Sequence, residues 1–179
     1  MTKSLNIFLL IFTCFLSGEA HLRADPENDA LANYAATLEQ EFPDVPTIST
    51  KELAALDPAP LLMDVRAEKE YAVSHLAKAI RAGKDPAEQL IELGISKNSS
   101  IVVYCSVGYR SSLLAQKLRE SGFLNVRNLE GSIFAWANEG RPLVNANGPT
   151  TGVHPFDVTW GRYLLRENWR WKPEQNTGD

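Results

Sequence analysis

Apolar and polar positions follow two different periods along this chain, and the switches between them mark its elements. Leu31, Tyr34, Ala35 and Leu38 recur at helical spacing, predicting a helix over residues 25–40 between Pro26 and Pro43. From Thr47 the elements become short. Thr50 can cap a helix that Asp57-Pro58 ends. Leu61-Leu62-Met63-Asp64-Val65 is an apolar run closed by a polar residue, and Ile101-Val102-Val103-Tyr104 is a second such run. Continuous apolar runs of this length suit strands buried on both faces. Helices are expected over residues 67–71, 85–93, 111–120 and 132–138. The third of these carries Leu113, Leu114 and Leu118 on its inner face. Further strands are expected at 79–80 and 125–129. Residues 145–151 read as a turn-rich break.

Strands alternating with helices predict an α/β fold with a parallel sheet flanked by helices on both faces. In such sheets the ligand site lies beyond the carboxyl ends of the strands. Asp64 and Cys105 both fall at such ends.

Cys105 heads the informative stretch Tyr104-Cys105-Ser106-Val107-Gly108-Tyr109-Arg110-Ser111. It leaves a buried strand and precedes a helix, so the loop lies where unpaired backbone N–H groups point outward. Gly108 lets that loop curl into an anion-binding nest. A helix start and a nearby arginine both lower a thiol's pKa, and the thiolate is the nucleophile. Buried cysteines are common in cores; this one leads a glycine-containing, arginine-closed loop, which argues for chemistry.

These residues resemble the rhodanese family. Asp64-Val65-Arg66 with Glu70-Tyr71 and His75-Leu76 is similar to one family segment. Tyr104-Cys105-x-x-Gly108-x-Arg110-Ser111 is similar to the active-site loop of single-domain members. Gly122-Phe123-x-Asn125-Val126, Leu129-Glu130-Gly131-Ser132, Ala135-Trp136 and Gly140-x-Pro142 are similar to the closing segment. The likeness runs from about Val45 to Leu143. Ser74, Ala77-Lys78-Ala79 and Ser132 depart from the family's commoner small residues, and read as backbone adjustments.

The resemblance implies a rhodanese-like fold with a five-stranded parallel sheet. It implies a sulfurtransferase that moves a sulfane sulfur from thiosulfate or a similar donor to cyanide or a thiol through a Cys105 persulfide. The alternative is a persulfide carrier without turnover, or a regulatory binding module. Related phosphatases use Cys-x5-Arg, whereas Cys105 and Arg110 form Cys-x4-Arg. The shorter loop suits a single sulfur, which sets phosphatase chemistry aside.

Cys105 and Arg110 are the candidate catalytic residues. Arg110 either contacts the substrate anion or braces the loop through a carboxylate. Ser106, Val107 and Tyr109 are expected to shape the rim, Gly108 to turn the loop, and Ser111 to cap the helix. The apolar Val107 offers little to doubly charged thiosulfate. Asp64 and Arg66 are supporting residues. Asp64 either pairs with Arg66 or accepts loop N–H groups, and Arg66 and Glu70 are spaced for an ion pair. His75 reads as a satisfied core histidine. His21 and His154 lack metal-ligand spacing, and no metal or organic cofactor is implied.

Composition adds little. The 179 residues are 44% hydrophobic and 22% charged, with a formal net charge of −4. That bounds the chain to one ordinary domain and favours neither nucleic acid nor an anionic membrane as partner. The expected partners are a small sulfur donor and a thiol or cyanide acceptor, with a protein as a further acceptor. Lys3 followed by the apolar run LNIFLLIFTCFL and small residues at Gly18 and Ala20 reads as a signal peptide over residues 1–20. Such a run is too short to span a bilayer, so no stable membrane insertion is expected after cleavage. Cleavage would leave Cys105 as the one cysteine and place the protein in the periplasm or outside the cell. The remaining divisions are a helical lead-in at 21–44, the rhodanese-like domain at 45–145, and an aromatic-rich tail at 146–179. That tail holds Trp160, Trp169, Trp171, Phe156 and Tyr163.

Overall fold

A computed structural model describes residues 26–174. The expected signal peptide, with Cys14, lies outside the described residues, as do His21 and residues 175–179.

The elements run in chain order as α1 (Pro26–Glu41), β1 (Thr47–Ile48), α2 (Thr50–Ala55), β2 (Leu61–Asp64), α3 (Glu68–Val73), β3 (Ile80–Arg81), α4 (Pro86–Glu92), β4 (Ile101–Tyr104), α5 (Tyr109–Glu120), β5 (Val126–Leu129) and α6 (Ser132–Asn138). There follow β6 (Leu143–Asn145), β7 (Gly148–Thr150), α7 (Val158–Gly161) and a 3-10 turn at Arg166–Asn168. Strands β1 to β5 form one parallel sheet in the order β1-β5-β4-β2-β3. The expected α/β architecture is therefore present, with β4 at its centre.

The side chains of β4 show why this strand must be apolar throughout. Ile101, Val102, Val103 and Tyr104 are all fully buried, and successive residues point to opposite faces. Val102 and Tyr104 pack with Leu31 of α1, Leu53 of α2 and Ile133 and Phe134 of α6. Ile101 and Val103 pack with Leu90 of α4 and with Leu114, Ala115 and Leu118 of α5. Helices thus cover both faces. Leu113, expected on the inner face of α5, is instead exposed, because the buried stripe runs through Leu114 and Leu118.

Three local expectations are corrected. The cap of α2 is Ser49, whose hydroxyl accepts the Glu52 N–H while the Glu52 carboxylate accepts the Ser49 N–H. Thr50 is the first helical residue, and its hydroxyl donates to Glu139. The turn-rich break at 145–151 is an antiparallel hairpin of β6 and β7. Helix α5 begins at Tyr109, two residues before the expected start, which shortens the loop after Cys105.

The aromatic tail packs back on the sheet's first face. Val153, Tyr163 and Leu164 are buried in that core, and Trp160 and Trp169 pack against it. Val153 bridges to Trp169, donating to Asn168 O at 2.7 Å and accepting from Arg170 N at 2.9 Å. Gly161 permits this doubling-back: a Cβ there would lie 2.4 Å from Cζ2 of Trp169. The substitution Gly161→Ala is expected to cost about 1–3 kcal/mol, read as a lower urea midpoint by tryptophan fluorescence.

Candidate active site

Cys105 leaves the carboxyl end of β4, between β2 and β5. Its side chain is free and only 1% exposed. Four residues, Cys105 to Gly108, separate the strand from α5. Gly108 caps that helix at φ 116°, a left-handed conformation that disfavours side chains, and a Cβ there would come 3.0 Å from Leu38 Cδ1. The curl returns the Gly108 N–H to Cys105 Sγ at 3.1 Å.

Two clasps fix the loop. On one side the Gly108 carbonyl accepts from Ser111 Oγ, Ser112 Oγ and Asn128 Nδ2 at 3.0, 3.0 and 3.2 Å. On the other, the start of α6 binds the loop backbone. The N–H groups of Ile133 and Phe134 donate to the Cys105 and Ser106 carbonyls. The Cys105 N–H donates to Ser132 Oγ at 3.1 Å. Ser132 stands at φ 53°, a left-handed conformation that favours glycine, and its hydroxyl adds a side-chain contact to the Cys105 backbone.

Arg110 turns inward and meets Glu70. Its Nη1 and Nη2 donate to the Glu70 carboxylate at 3.0 and 2.9 Å, and Nη2 donates to Ser106 Oγ at 3.0 Å. Glu70 also accepts from Ser106 Oγ at 3.2 Å and from the Ala67 N–H at 2.9 Å. The Glu70 side chain is fully buried. Burial pushes its carboxyl up, but the Arg110 hydrogen bonds and charge and the Ala67 N–H outweigh this and hold it below the usual carboxylate range.

The expected Arg66–Glu70 pair is therefore absent. Arg66 pairs with Asp64 instead, through Nε at 3.0 Å and Nη2 at 2.7 Å, both side chains being fully buried. The Arg66 N–H also donates to Asp64, and Nη2 donates to the Ser74 carbonyl. Asp64 thus takes the first of its two expected roles. Arg110 takes the bracing one. Spacing misled the pairing because Glu70 points from α3 toward the Cys105 loop, while Asp64 faces Arg66 across the end of β2.

Two loop expectations are corrected as well. Ser111 does not cap α5; it lies within the first turn, fully buried, and Gly108 is the cap. Ser106 does not shape the rim, since it is buried against Glu70 and Arg110. Val107 and Tyr109 do line the opening. His75 stacks flat on Tyr71 at 3.8 Å and its Nδ1 lies 3.1 Å from the Tyr71 carbonyl.

A cavity of about 130 Å³ opens beside the sulfur, lined by Cys105, Val107, Tyr109, Arg110, Phe156 and Trp160. The last two come from the tail. A larger groove of about 470 Å³ lies between α1 and α6, and Cys105 does not line it.

The thiol responds to this setting. Burial pushes Cys105 up. The Arg110 charge, the hydroxyl and N–H of Ser111 and the N–H of Gly108 push it down, and the balance leaves it below its ordinary value. Among the described residues no three His, Cys, Asp or Glu side chains are grouped to hold a metal.

A family model for the rhodanese-like domain matches residues 49–139, just over half of the chain. The chain belongs to the rhodanese-like domain family. A tRNA uridine(34) hydroxylase from Sodalis glossinidius (strain morsitans) is 32% identical over 101 residues, covering 52% of this chain and 29% of that protein. An adenylyltransferase and sulfurtransferase from Ogataea parapolymorpha is 30% identical over 95 residues, covering 53% and 24%. The match thus spans under a third of these curated relatives. The crystal structure of a thiosulfate sulfurtransferase from Pseudomonas aeruginosa has a TM-score of 0.54 at 22% identity, covering 76% of this chain and 26% of that one. That likeness shows a shared rhodanese-like fold.

Two measurements check this geometry. The alkylation rate of Cys105 should reach its half-maximum at a lower pH than an ordinary thiol, and Arg110→Gln should move that midpoint upward. Glu70, with its carboxyl held low, contributes stability above the ordinary carboxylate value of about 4.3 that is lost as pH falls through its folded value. Glu70→Gln should cost about 2 kcal/mol at pH 7, discounted because Arg110 is partly exposed. The variant should also flatten the acid limb of a stability-versus-pH curve.

Proposed function

We propose that this protein is a sulfurtransferase that carries sulfane sulfur as a persulfide on Cys105. One observation carries the reading: a sulfur whose thiolate is favoured by N–H groups and Arg110 lies against an open cavity at the end of the central strand. Membership of the rhodanese-like family supports it. So does the name of the Ogataea parapolymorpha relative, which includes sulfurtransferase.

The reaction takes two displacements. The Cys105 thiolate attacks the outer sulfur of a donor such as thiosulfate. A Sγ–S bond forms, the donor's S–S bond breaks, and the leaving group departs with the electron pair. The negative charge then rests on the terminal sulfur, within reach of a loop built to hold an anion. A thiolate or cyanide attacks that sulfur, and Cys105 returns as thiolate. Arg110 supplies positive charge beside the sulfur, and Glu70 positions Arg110. The pairing of the guanidinium with Glu70 supports an electrostatic role for it rather than proton transfer.

The apolar run before Ser17 supports export, and we propose a periplasmic or secreted location. A second reading has support in the 1% exposure of Cys105: a persulfide carrier that hands sulfur to one protein partner without turning over small acceptors.

Intact-mass spectrometry of the purified protein with thiosulfate, then cyanide, tests the proposal. The expected result is a gain of one sulfur atom, absent in Cys105→Ser, that cyanide removes as thiocyanate. Sulfur loading that no small acceptor discharges would favour the carrier. A readily alkylated Cys105 that no sulfane donor loads would overturn both.

A further inference from the structure

The cavity beside Cys105 has two kinds of wall. Val107, Tyr109 and Arg110 belong to the loop and the start of α5. Phe156 and Trp160 belong to the tail, beyond the residues 49–139 that the family model matches. The site is therefore finished by side chains that the family pattern does not specify.

Those two rings are held in place. Phe156 adopts φ 67°, an uncommon conformation for a side-chain-bearing residue. Its N–H donates to His154 Nδ1 at 3.0 Å, and His154 is buried. Strain of this kind persists where surrounding contacts over-determine it, and such residues cluster at functional sites. Trp160 is wedged edge-on against Tyr34 of α1, with ring centroids 5.5 Å apart, and its N–H is capped by Asp157.

The charge of the cavity is also set. The Arg110 guanidinium has both Nη atoms on Glu70, and its carbon lies 4.9 Å from the centre of the Phe156 ring. Its charge is thus matched by a carboxylate and faced by an aromatic ring. With Cys105 ionised, Arg110 and Glu70 together leave the cavity short of positive charge for a doubly charged donor. The volume of about 130 Å³ is close to that of an apolar cavity on the order of 150 Å³ that holds one benzene ring.

We infer that Phe156 and Trp160 are specificity-determining residues that select sulfane donors with one negative charge and a small apolar substituent, of the organic thiosulfonate class, over dianionic thiosulfate. The inference rests on the sulfur-transfer reading and names its substrate class. In the step, the Cys105 thiolate attacks the terminal sulfur of R–SO2–S⁻. A Sγ–S bond forms, the donor's S–S bond breaks, and the sulfinate R–SO2⁻ leaves with the electron pair. The total charge is unchanged, and no outside oxidant or reductant takes part. The R group stacks on Phe156 and Trp160, where thiosulfate would present a charged oxygen.

The test compares kcat/KM for benzenethiosulfonate, methanethiosulfonate and thiosulfate with cyanide as acceptor, and measures single-turnover loading of Cys105 by intact mass. The full chain is expected to favour benzenethiosulfonate over thiosulfate by tenfold or more. Phe156→Ala should lower that ratio by about tenfold, the size of a lost ring contact, with the change in KM rather than kcat. Phe156→Leu, which keeps bulk but not the ring, should fall between. Trp160→Phe keeps a ring against Tyr34 and should lower the ratio less than Phe156→Ala, with circular dichroism confirming folded protein. Equal or better use of thiosulfate by the full chain overturns the inference while leaving sulfur transfer intact. So does a Phe156→Ala variant whose three donors change alike, which would make the rings a shelter rather than a selector. Failure of all three donors to load Cys105 overturns sulfur transfer, and the inference falls with it.

Discussion

A negative charge on a sulfur that shows almost no surface to water must be met largely from inside the protein. The loop after β4 does this with the Gly108 and Ser111 N–H groups and with Arg110. Each depends on something further out. The N–H groups aim at Sγ because Gly108 can adopt its left-handed turn, and because three side-chain donors pin the Gly108 carbonyl. Arg110 stays beside the sulfur because Glu70 holds it with two hydrogen bonds. Glu70 in turn is carried by α3, whose start follows the buried Asp64–Arg66 pair at the end of β2. The support thus runs from the neighbouring strand through two ion pairs to Cys105.

The two pairs differ in kind. Asp64 and Arg66 are both fully buried, close together in the chain and tied to backbone groups, so they fix the strand end and its turn. A pair so enclosed contributes geometry more than net stability, since desolvation offsets most of the attraction. Glu70 and Arg110 come from distant parts of the chain and meet at a partly open position. Their pairing joins α3 to the start of α5 across the site. It also tunes the thiol: a carboxylate on Arg110 moderates the guanidinium's pull on the sulfur while keeping it in place.

Much of the framework could be read from residue patterns. The apolar runs at 61–63 and 101–104 had to be interior strands, because nothing polar interrupts them, and Asp85-Pro86 and Gly94 bracketed α4 as expected. The loop was legible because a cysteine, a glycine and an arginine follow such a strand at fixed spacing. Less legible was everything that depends on direction rather than position. Arg66 and Glu70 are correctly spaced to pair on a helix, yet each side chain turns to a different partner. Ser111 has the right residue type for a cap, but Gly108 already curls the chain three residues before the expected helix start. Ser132 looked like a backbone adjustment, although its hydroxyl reaches the Cys105 N–H. The tail's aromatic residues stood out by composition, but only the fold brings Phe156 and Trp160 in particular to the cavity. The hairpin at β6 and β7, which steers the tail, was masked by residues that suit any turn.

The tail also meets the chain's other flank. Tyr34 of α1 packs on Trp160 and stacks on Tyr163, and Asn138 of α6 links Asn28 to the Tyr163 carbonyl. Helix α1 precedes the family segment and the tail follows it, so the two flanks form one joint unit laid across the sheet. Each flank covers aromatic surface of the other that would otherwise face water. Through Trp160, which also lines the cavity beside Cys105, the packing of α1 bears on the mouth of that cavity.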